Sequence, residues 1–153
     1  MDRTDARLLE ELQRDSTQSI AQLAEQCALS TSACHRRIRA LEQAGLIASY
    51  GARLDPARLG LTLVAFVEIT LTSQSREAMD RFEDAVGDFR DILECHLMSG
   101  NADYLLRVAA ADLAHYDRIH RDCLARLPGV SSMRSSFAIR SIKSFGGYPV
   151  TAR

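Results

Sequence analysis

A chain of 153 residues that is 46% hydrophobic and 25% charged has the size of one ordinary domain or two small ones. Its composition excludes a disordered tail, a collagen-like repeat and a coiled-coil rod, and the formal net charge of −1 argues against a uniformly basic protein. No apolar run is long enough for a membrane helix, no stretch is typical of a signal peptide, and the four cysteines form no CxxC pair. We therefore expect a soluble, cytoplasmic protein.

Residues 1–58 have the apolar spacing of three short helices. Turn-forming residues end the first helix, and Ser19 is suited to cap the second. A break at 28–30 precedes a third helix, which is predicted from about Thr31 to Ala44. Two helices joined by so tight a turn indicate a helix-turn-helix. The mixed alternation of residues 46–54 favours a short strand or β-wing.

From Leu63 onward, strands alternate with helices. The strands are indicated by β-branched, apolar or alternating residues, and the helices by apolar residues at helical spacing. The predicted strands cover 63–71, 91–98, 103–110 and a last segment in which Met133, Phe137 and Ile139 alternate, with helices over 76–87 and 112–127. The order β-α-β-β-α-β is that of a ferredoxin-like domain, so the predicted fold class is α+β.

One face of such a sheet is covered by its own helices, and the other face is open. Here the open face is not uniformly polar, because Val64 and Phe66 point to it. A sheet with an apolar open face usually acquires a partner, and we therefore expect the protein to self-associate.

The third predicted helix has the features of a DNA-recognition helix. Its apolar side is formed by Cys34, Ile38 and Leu41. The nearly opposite side carries Ser32, Arg36, Arg39 and Gln43. Arginine can bind guanine edges or phosphates and glutamine can pair with adenine, whereas the flanking His35 and Arg37 would reach backbone phosphates. Residues 1–58 hold eight arginines against eight acidic residues, so a protein-interaction module stays open as an alternative.

Three segments of the chain resemble the Lrp/AsnC family, the feast/famine regulators of bacteria and archaea. They are "DRTDARLLEELQRDSTQSIAQLA" (2–24), "LSTSACHRRIRALEQAGLIASYGARLDPARLGL" (29–61) and "SGNADYLLRV" (99–108). The resemblance covers nearly the whole chain, with the segments in the right order.

The resemblance implies a sequence-specific transcription regulator that is controlled by an amino acid or similar small metabolite. It implies a winged helix-turn-helix DNA-binding domain at 1–50, a linker at 51–62, and a ferredoxin-like (RAM/ACT-like) effector-binding and oligomerisation domain at 63–153. The operator contacts then come from Ser30, Thr31, Ser32, His35, Arg36, Arg37, Arg39 and Gln43. The resemblance also implies a homodimer that assembles further, often into a ring of four dimers.

The same resemblance implies an effector site at the loop Ser99–Tyr104, where Gly100, Asp103 and Tyr104 match the family pattern G-x-x-D-Y/F. Exposed loop N–H groups can receive a carboxylate, and Asp103 can pair with an ammonium group. The candidate effector-binding residues are Ser99, Gly100, Asn101, Ala102, Asp103 and Tyr104, with Ser135 and Ser136 contributing from across an interface. The residues alone leave a simpler alternative open, in which Gly100 and Asn101 only turn a hairpin that Asp103 caps.

Other chemistries have weak support in the sequence. His115 and His120 lie five residues apart and share no helix face, and Cys95 and His96 point to opposite faces of a strand. We therefore predict no metal site and no cofactor, and the lack of a catalytic motif predicts that the protein is not an enzyme. The functional alternative is an amino-acid-sensing regulatory subunit of a metabolic enzyme, in which the N-terminal half only docks to that enzyme.

Overall fold

The structure, a computed structural model, describes residues 1–152 and divides into two compact units. The first unit joins Met1–Arg53 with the C-terminal segment that starts at Ile142, and the second unit spans Leu54–Ser141. This division differs from the predicted one, which extended the effector domain to residue 153. Residues 142–152 form no regular secondary structure, and their sequence offers no periodicity from which their position could be predicted.

Three helices form the N-terminal unit, and they confirm the predicted helix-turn-helix. They are α1 (Arg3–Arg14), α2 (Ile20–Gln26) and α3 (Thr31–Gln43). Each begins after a polar residue, in turn Asp2, Ser19 and Ser30, whose side chain accepts a backbone hydrogen bond from the first turn. Their apolar sides meet in one core, whose most buried members are Leu8, Leu23 and Cys34.

Residues 46–54 do not form the strand that the sequence predicts. All strands among the described residues belong to the second unit and pair there with one another. The segment therefore has no neighbour with which to exchange backbone hydrogen bonds, and a strand needs such a neighbour. Ile47 packs against the helical core, while Leu46 and Tyr50 remain exposed.

The second unit has the predicted β-α-β-β-α-β order. Its elements are β1 (Leu63–Leu71), α4 (Arg76–Gly87), β2 (Ile92–Leu97), β3 (Tyr104–Ala110), α5 (Leu113–Asp122), a short 3-10 helix (Leu124–Arg126) and β4 (Val130–Phe137). The strands form one antiparallel sheet in the order β2-β3-β1-β4, which is the ferredoxin-like arrangement. No helix in the described part of the chain is both long and apolar enough to cross a membrane.

The core of the second unit lies between the helices and one face of the sheet. Val67 and Leu106 from the two central strands are fully buried there, together with Phe82 of α4 and Ile119 of α5. The other face carries Val64 and Phe66, as predicted, and Phe66 is 39% exposed.

The last strand is shorter than the sequence predicts. It ends at Phe137, whose ring packs edge-on against Tyr116 with 5.0 Å between the ring centroids. Ile139 lies beyond the strand and is fully exposed, so the predicted alternation of Met133, Phe137 and Ile139 does not reach its last member. Phe137 pairs with Ala65, and the N–H of Ala138 makes one further hydrogen bond to the carbonyl of Val64, at 2.9 Å, before the chain leaves the sheet.

Candidate DNA-binding surface and effector site

The recognition-helix candidate α3 has one buried and one exposed side. Its buried residues are Cys34, Ile38 and Leu41. The side chains of Ser32, Arg36, Arg39 and Gln43 are all exposed, as are Thr31 and His35. The structure therefore places the predicted stripe on the solvent side of the helix.

The two arginines of the stripe differ in their surroundings. Arg36 makes no side-chain hydrogen bond or ion pair with another residue in the range 1–152 that the structure describes. Arg39 forms an exposed ion pair with Glu42, with 3.3 Å between Nη1 and Oε2. The hydroxyl of Tyr50 donates to the other Glu42 oxygen at 2.9 Å. An exposed pair of this kind is weak, so Arg39 can exchange it for another anion.

Arg37 contacts α1 and the residue that caps it. Its Nη1 lies 2.7 Å from a carboxylate oxygen of Asp2 and 2.7 Å from one of Asp5. The hydrogen bond from the backbone N–H of Asp5, followed by the one from Arg37, lowers the pKa of Asp2 below its ordinary value. Both carboxylates bind the same guanidinium nitrogen and tie α3 to α1, and the phosphate contact of Arg37 stays a prediction that would compete with these ion pairs.

The N-terminus of α3 carries three hydroxyl side chains. Ser30 accepts a hydrogen bond from the backbone N–H of Ala33 at 3.2 Å, and its hydroxyl lies 3.2 Å from that of Ser32. Thr31 is exposed between them. Ser30 therefore caps α3, and its side chain is also exposed to solvent.

The loop that joins β2 to β3 contains the effector-site candidates. Ser99, Gly100 and Asn101 are exposed, and Ala102 is half-buried. The loop is closed by a hydrogen bond from the N–H of Met98 to the carbonyl of Asp103, at 2.8 Å. A Cβ placed on Gly100 would meet no atom within 4 Å, so open space adjoins the loop backbone.

Asp103 is 9% exposed, and both of its carboxylate oxygens have partners within the chain. Oδ2 accepts from the N–H of Leu71 at 2.7 Å, and Oδ1 accepts from Nε2 of Gln74 at 2.6 Å. Its own N–H donates to the carbonyl of Ile69 at 2.8 Å. These contacts tie the loop to the end of β1 and give Asp103 a structural role, and its pairing with an ammonium group stays a prediction.

Tyr104 is also part of the scaffold below the loop. Its hydroxyl donates to Oε1 of Glu83 at 2.6 Å, and its ring packs against Phe82 with 4.5 Å between centroids. Burial, followed by the hydrogen bond to Glu83, raises the pKa of Tyr104 above its ordinary value. Gln74 and Glu83 were missed by the sequence reasoning, because they are distant in the chain from the residues they contact and belong to no motif.

The two serines of β4 lie on opposite faces of the sheet. Ser135 is half-buried on the helix side, where its Oγ lies 2.6 Å from the hydroxyl of Tyr116. Ser136 pairs with Phe66 across the strands and lies on the open face. Within one chain, therefore, the structure does not bring the two serines together at one site.

Two family models match this chain, one over its N-terminal part and one over its C-terminal part. A model described as the Lrp/AsnC ligand binding domain matches residues 64–148, and one described as winged helix-turn-helix DNA-binding matches residues 1–48. The chain belongs to the Lrp/AsnC family. The expected resemblance is thereby confirmed, and so is the fold class of a winged helix-turn-helix followed by a ferredoxin-like domain.

Relatives and solved structures of this Lrp/AsnC family agree with the assignment. The leucine-responsive regulatory protein of Escherichia coli (strain K12) is 38% identical over 143 residues, which are 94% of this chain and 87% of that protein. An AsnC family transcriptional regulator from Agrobacterium tumefaciens superposes with a TM-score of 0.92 at 39% identity, covering 97% of both chains. A transcriptional regulator from Neisseria meningitidis, solved as a complex with L-Met, has a TM-score of 0.89 at 33% identity, over 94% of this chain and 93% of that one.

As a member of the Lrp/AsnC family, the protein is a DNA-binding transcription regulator with a ligand-binding domain. The match to a DNA-binding model over residues 1–48 favours this function over the enzyme-subunit alternative, and the named relatives are regulators rather than enzyme subunits. Among the residues that the structure describes, no three His, Cys, Asp or Glu side chains are grouped in a way that could hold a metal ion.

Proposed function

We propose that this regulator binds operator DNA with the exposed side of α3, and that a bound amino acid or related small metabolite changes its operator affinity or its assembly. The observation that carries the proposal is the exposed stripe of α3, opposite a side that is buried in the helical core. A helix with guanidinium, amide and hydroxyl groups on its solvent side is suited to the major groove.

The proposed DNA contacts divide into base and phosphate contacts. Arg36, Arg39 and Gln43 are the residues that we expect to reach base edges, because a guanidinium group can pair with guanine and a side-chain amide with adenine. Ser30, Thr31, Ser32 and His35 lie on its first turns, where hydroxyl and backbone N–H groups favour a phosphate. A phosphate contact of Arg37 would compete with its two ion pairs.

The proposed effector site is the loop Ser99–Ala102, whose first three residues are exposed. Loop N–H groups beside open space can receive the carboxylate of an amino acid. The L-Met complex of the Neisseria relative supports an amino acid as the class of ligand. Asp103 and Tyr104 then hold the loop in place from below.

The open face of the sheet is the surface that we propose a second copy covers. Val64 and Phe66 lie on it, flanked by the ion pairs Arg107–Glu94 and Arg134–Glu68. A dimer binds two half-sites about one helical turn apart, or a multiple of it, with approximate palindromy. A ligand whose affinity differs between the assembled and dissociated states shifts the assembly equilibrium, and the effect is reciprocal. We place this activity in the cytoplasm, where operator DNA and metabolites are both present.

Operator binding tests the first part of the proposal. Labelled DNA from the protein's own upstream region is titrated, with fluorescence anisotropy as the signal, against the wild type, Arg36→Ala, Arg39→Ala and the control Arg118→Ala on α5. We expect each α3 variant to weaken binding by about 1–3 kcal/mol and the control to bind like the wild type. Wild-type affinity in both α3 variants would contradict the assignment of the recognition helix.

A ligand screen tests the second part. The common amino acids are screened by thermal shift, and any hit is measured again with Gly100→Val and with Gly87→Val, a glycine at the end of α4 that also has open space around it. We expect valine at 100 to fill the space beside the loop and to reduce the ligand affinity about tenfold or more, while valine at 87 leaves it unchanged. The site is elsewhere if Gly100→Val responds like the wild type, and the amino-acid class is wrong if no amino acid shifts the melting temperature.

A further inference from the structure

The C-terminal segment from Ile142 belongs to the same compact unit as the three N-terminal helices. Its described residues, up to 152, form no helix or strand, and its aromatic side chains are mostly exposed: Phe145 is 63% and Tyr148 76% accessible. Burial of large apolar side chains therefore does not explain the position of the segment. Contacts to its backbone do.

One side chain of α1 binds the main chain of this segment in two places. Nε2 of Gln13 donates to the carbonyl of Tyr148 at 2.9 Å, and Oε1 of Gln13 accepts from the N–H of Tyr148 at 2.7 Å. A primary amide that bonds to both the N–H and the C=O of one residue imitates the backbone of a neighbouring strand. Extended peptides are commonly recognised through main-chain bonds of this kind.

The residue before Tyr148 has to be glycine for this contact to form. Gly147 has φ +120°, a conformation that side-chain-bearing residues rarely adopt, and a Cβ built on it would lie 2.6 Å from Oε1 of Gln13. The neighbouring Gly146 differs in both respects, since its φ lies outside that range and its Cβ would meet no atom within 4 Å. The segment thus contains one glycine that the contact requires and an adjacent glycine that it does not.

Two further contacts lie on either side of this one. The guanidinium of Arg53 donates to the carbonyl of Phe145. Val150 is half-buried and packs against the core that α1, α2 and α3 share. The contacts at Phe145, Tyr148 and Val150 cover six consecutive residues, so the chain is held along its length rather than at one point.

We propose that the DNA-binding unit carries a specific site for an extended peptide, and that its occupant is the chain's own segment Phe145–Val150. Gln13 binds the main chain of Tyr148, and Gly147 permits the close approach of the segment to Gln13. Arg53 binds the segment at Phe145, and the apolar core of the three helices contacts it at Val150. The chain passes between the two units twice, after Arg53 and after Ser141. Release of the segment therefore removes one of the two connections between the DNA-binding unit and the ligand-binding unit.

The position of the single lysine gives a direct test in the full-length protein. Lys143 is the only lysine of the chain, is exposed, and lies two residues before Phe145. A lysine-specific endoprotease therefore cuts the chain at one site, and intact-mass spectrometry follows the cut. A protease also binds the residues that follow the cut in an extended form, so docking that begins at Phe145 slows cleavage after Lys143. When opening and closing are fast compared with cleavage, the cleavage rate reports the fraction of molecules whose segment is released.

The matched pair Gly147→Ala and Gly146→Ala separates docking from other effects of the substitution. We expect Gly147→Ala to be cut about tenfold faster or more, and Gly146→Ala to be cut at close to the wild-type rate. Synthetic peptides covering 139–153 with each substitution correct for the intrinsic preference of the protease, and far-UV circular dichroism checks that the helices are intact.

A double-mutant cycle with Gln13→Ala tests the contact itself. Gln13→Ala alone should speed cleavage, because both bonds to Tyr148 are lost. Gly147→Ala should have a smaller effect in that background, since the two nearest atoms that its Cβ would meet, Oε1 and Cδ of Gln13, are gone and only the strain of the positive φ remains. Equal cleavage of Gly147→Ala and Gly146→Ala, or additive effects of Gln13→Ala and Gly147→Ala, would overturn the proposal.

Discussion

Two charged residues, Asp103 and Arg37, stand where the sequence predicts ligand contacts but are bound within the chain. Asp103 accepts hydrogen bonds from Leu71 and Gln74, and Arg37 pairs with two carboxylates at the start of the chain. A charged group has to have partners when it is buried, and a partner within the chain is present whether or not a ligand is bound. At the scale of single residues, these contacts support the surfaces that we propose bind DNA and effector.

The first prediction concerns the stability that Asp103 provides. Asp103→Ala leaves the N–H of Leu71 buried without its acceptor, and we expect the free energy of unfolding to fall by about 1–3 kcal/mol. Asp103→Asn keeps one carbonyl oxygen at the site, and its free energy of unfolding should fall by less. Urea unfolding followed by circular dichroism measures both values. An alanine variant as stable as the wild type would show that the buried N–H does not need this acceptor.

The second prediction is a pH dependence that belongs to Asp2. Its pKa is lowered in the folded state, first by the N–H of Asp5 and then by Arg37, so its carboxylate stabilises the fold above its unfolded pKa of about 4. This contribution is lost as the pH falls through the lower, folded pKa. Asp2→Asn keeps a helix-capping side chain but not the charge. We expect it to be less stable than the wild type at pH 6, with the difference in urea midpoint shrinking towards pH 3; a difference that is constant with pH would contradict this.

At the scale of elements, the turn between α2 and α3 has an unusual residue. Ala28 follows the last turn of α2 with φ 54°, and the N–H of Leu29 bonds back to the carbonyl of Ala24 at 2.8 Å. This is the usual geometry of a helix end, but the left-handed position is normally taken by glycine. A side-chain-bearing residue in that conformation costs roughly 1–2 kcal/mol.

The third prediction follows from that strain. Ala28→Gly should raise the free energy of unfolding by about 0.5–1 kcal/mol, because glycine adopts the positive φ without steric cost but loses more entropy on folding. The matched control is Ala40→Gly in the middle of α3, which should lower the stability by about 1 kcal/mol. Thermal unfolding of the wild type and the two variants measures the sign of each change in stability. A loss of stability in Ala28→Gly would show that the turn is not strained.

At the scale of the whole molecule, the surface that we propose for self-association is the open face of the sheet. It carries the apolar residues Val64 and Phe66, and each of its two central strands also holds one member of an ion pair with an edge strand, Arg107 with Glu94 and Glu68 with Arg134. The sheet residues of this face alternate with those of the buried core, so the same strands provide both surfaces.

The fourth prediction tests this surface by charge. Phe66→Asp replaces an apolar side chain of this face with a carboxylate, and we expect it to weaken self-association about tenfold or more in sedimentation velocity. Leu113→Asp is the matched control, because Leu113 is 64% exposed at the start of α5 and is not part of the sheet. Loss of self-association in both variants, or in neither, would place the interface elsewhere.

The sequence determined the elements of the protein, because their signals are local. Apolar periods of 3.6 and 2 residues, capping residues such as Ser19 and Ser30, and the order of strands and helices all depend on near neighbours in the chain. The exposed stripe of α3 follows from the same periodicity. The family resemblance added the identity of the two domains, which the family models confirm.

Which polar groups already have partners within the chain follows from the tertiary fold and not from local sequence. The partners of Asp103 and Tyr104 lie 29 and 21 residues away at Gln74 and Glu83, and Gln13 meets Tyr148 across 135 residues. Hydrogen bonds of this separation have no period and no motif, since they depend on where the chain returns in space. For the same reason, residues 46–54 have the sequence pattern of a strand but no neighbouring strand with which to pair. The segment from Ile142 likewise joins the unit of the N-terminal helices rather than the unit that precedes it in the chain.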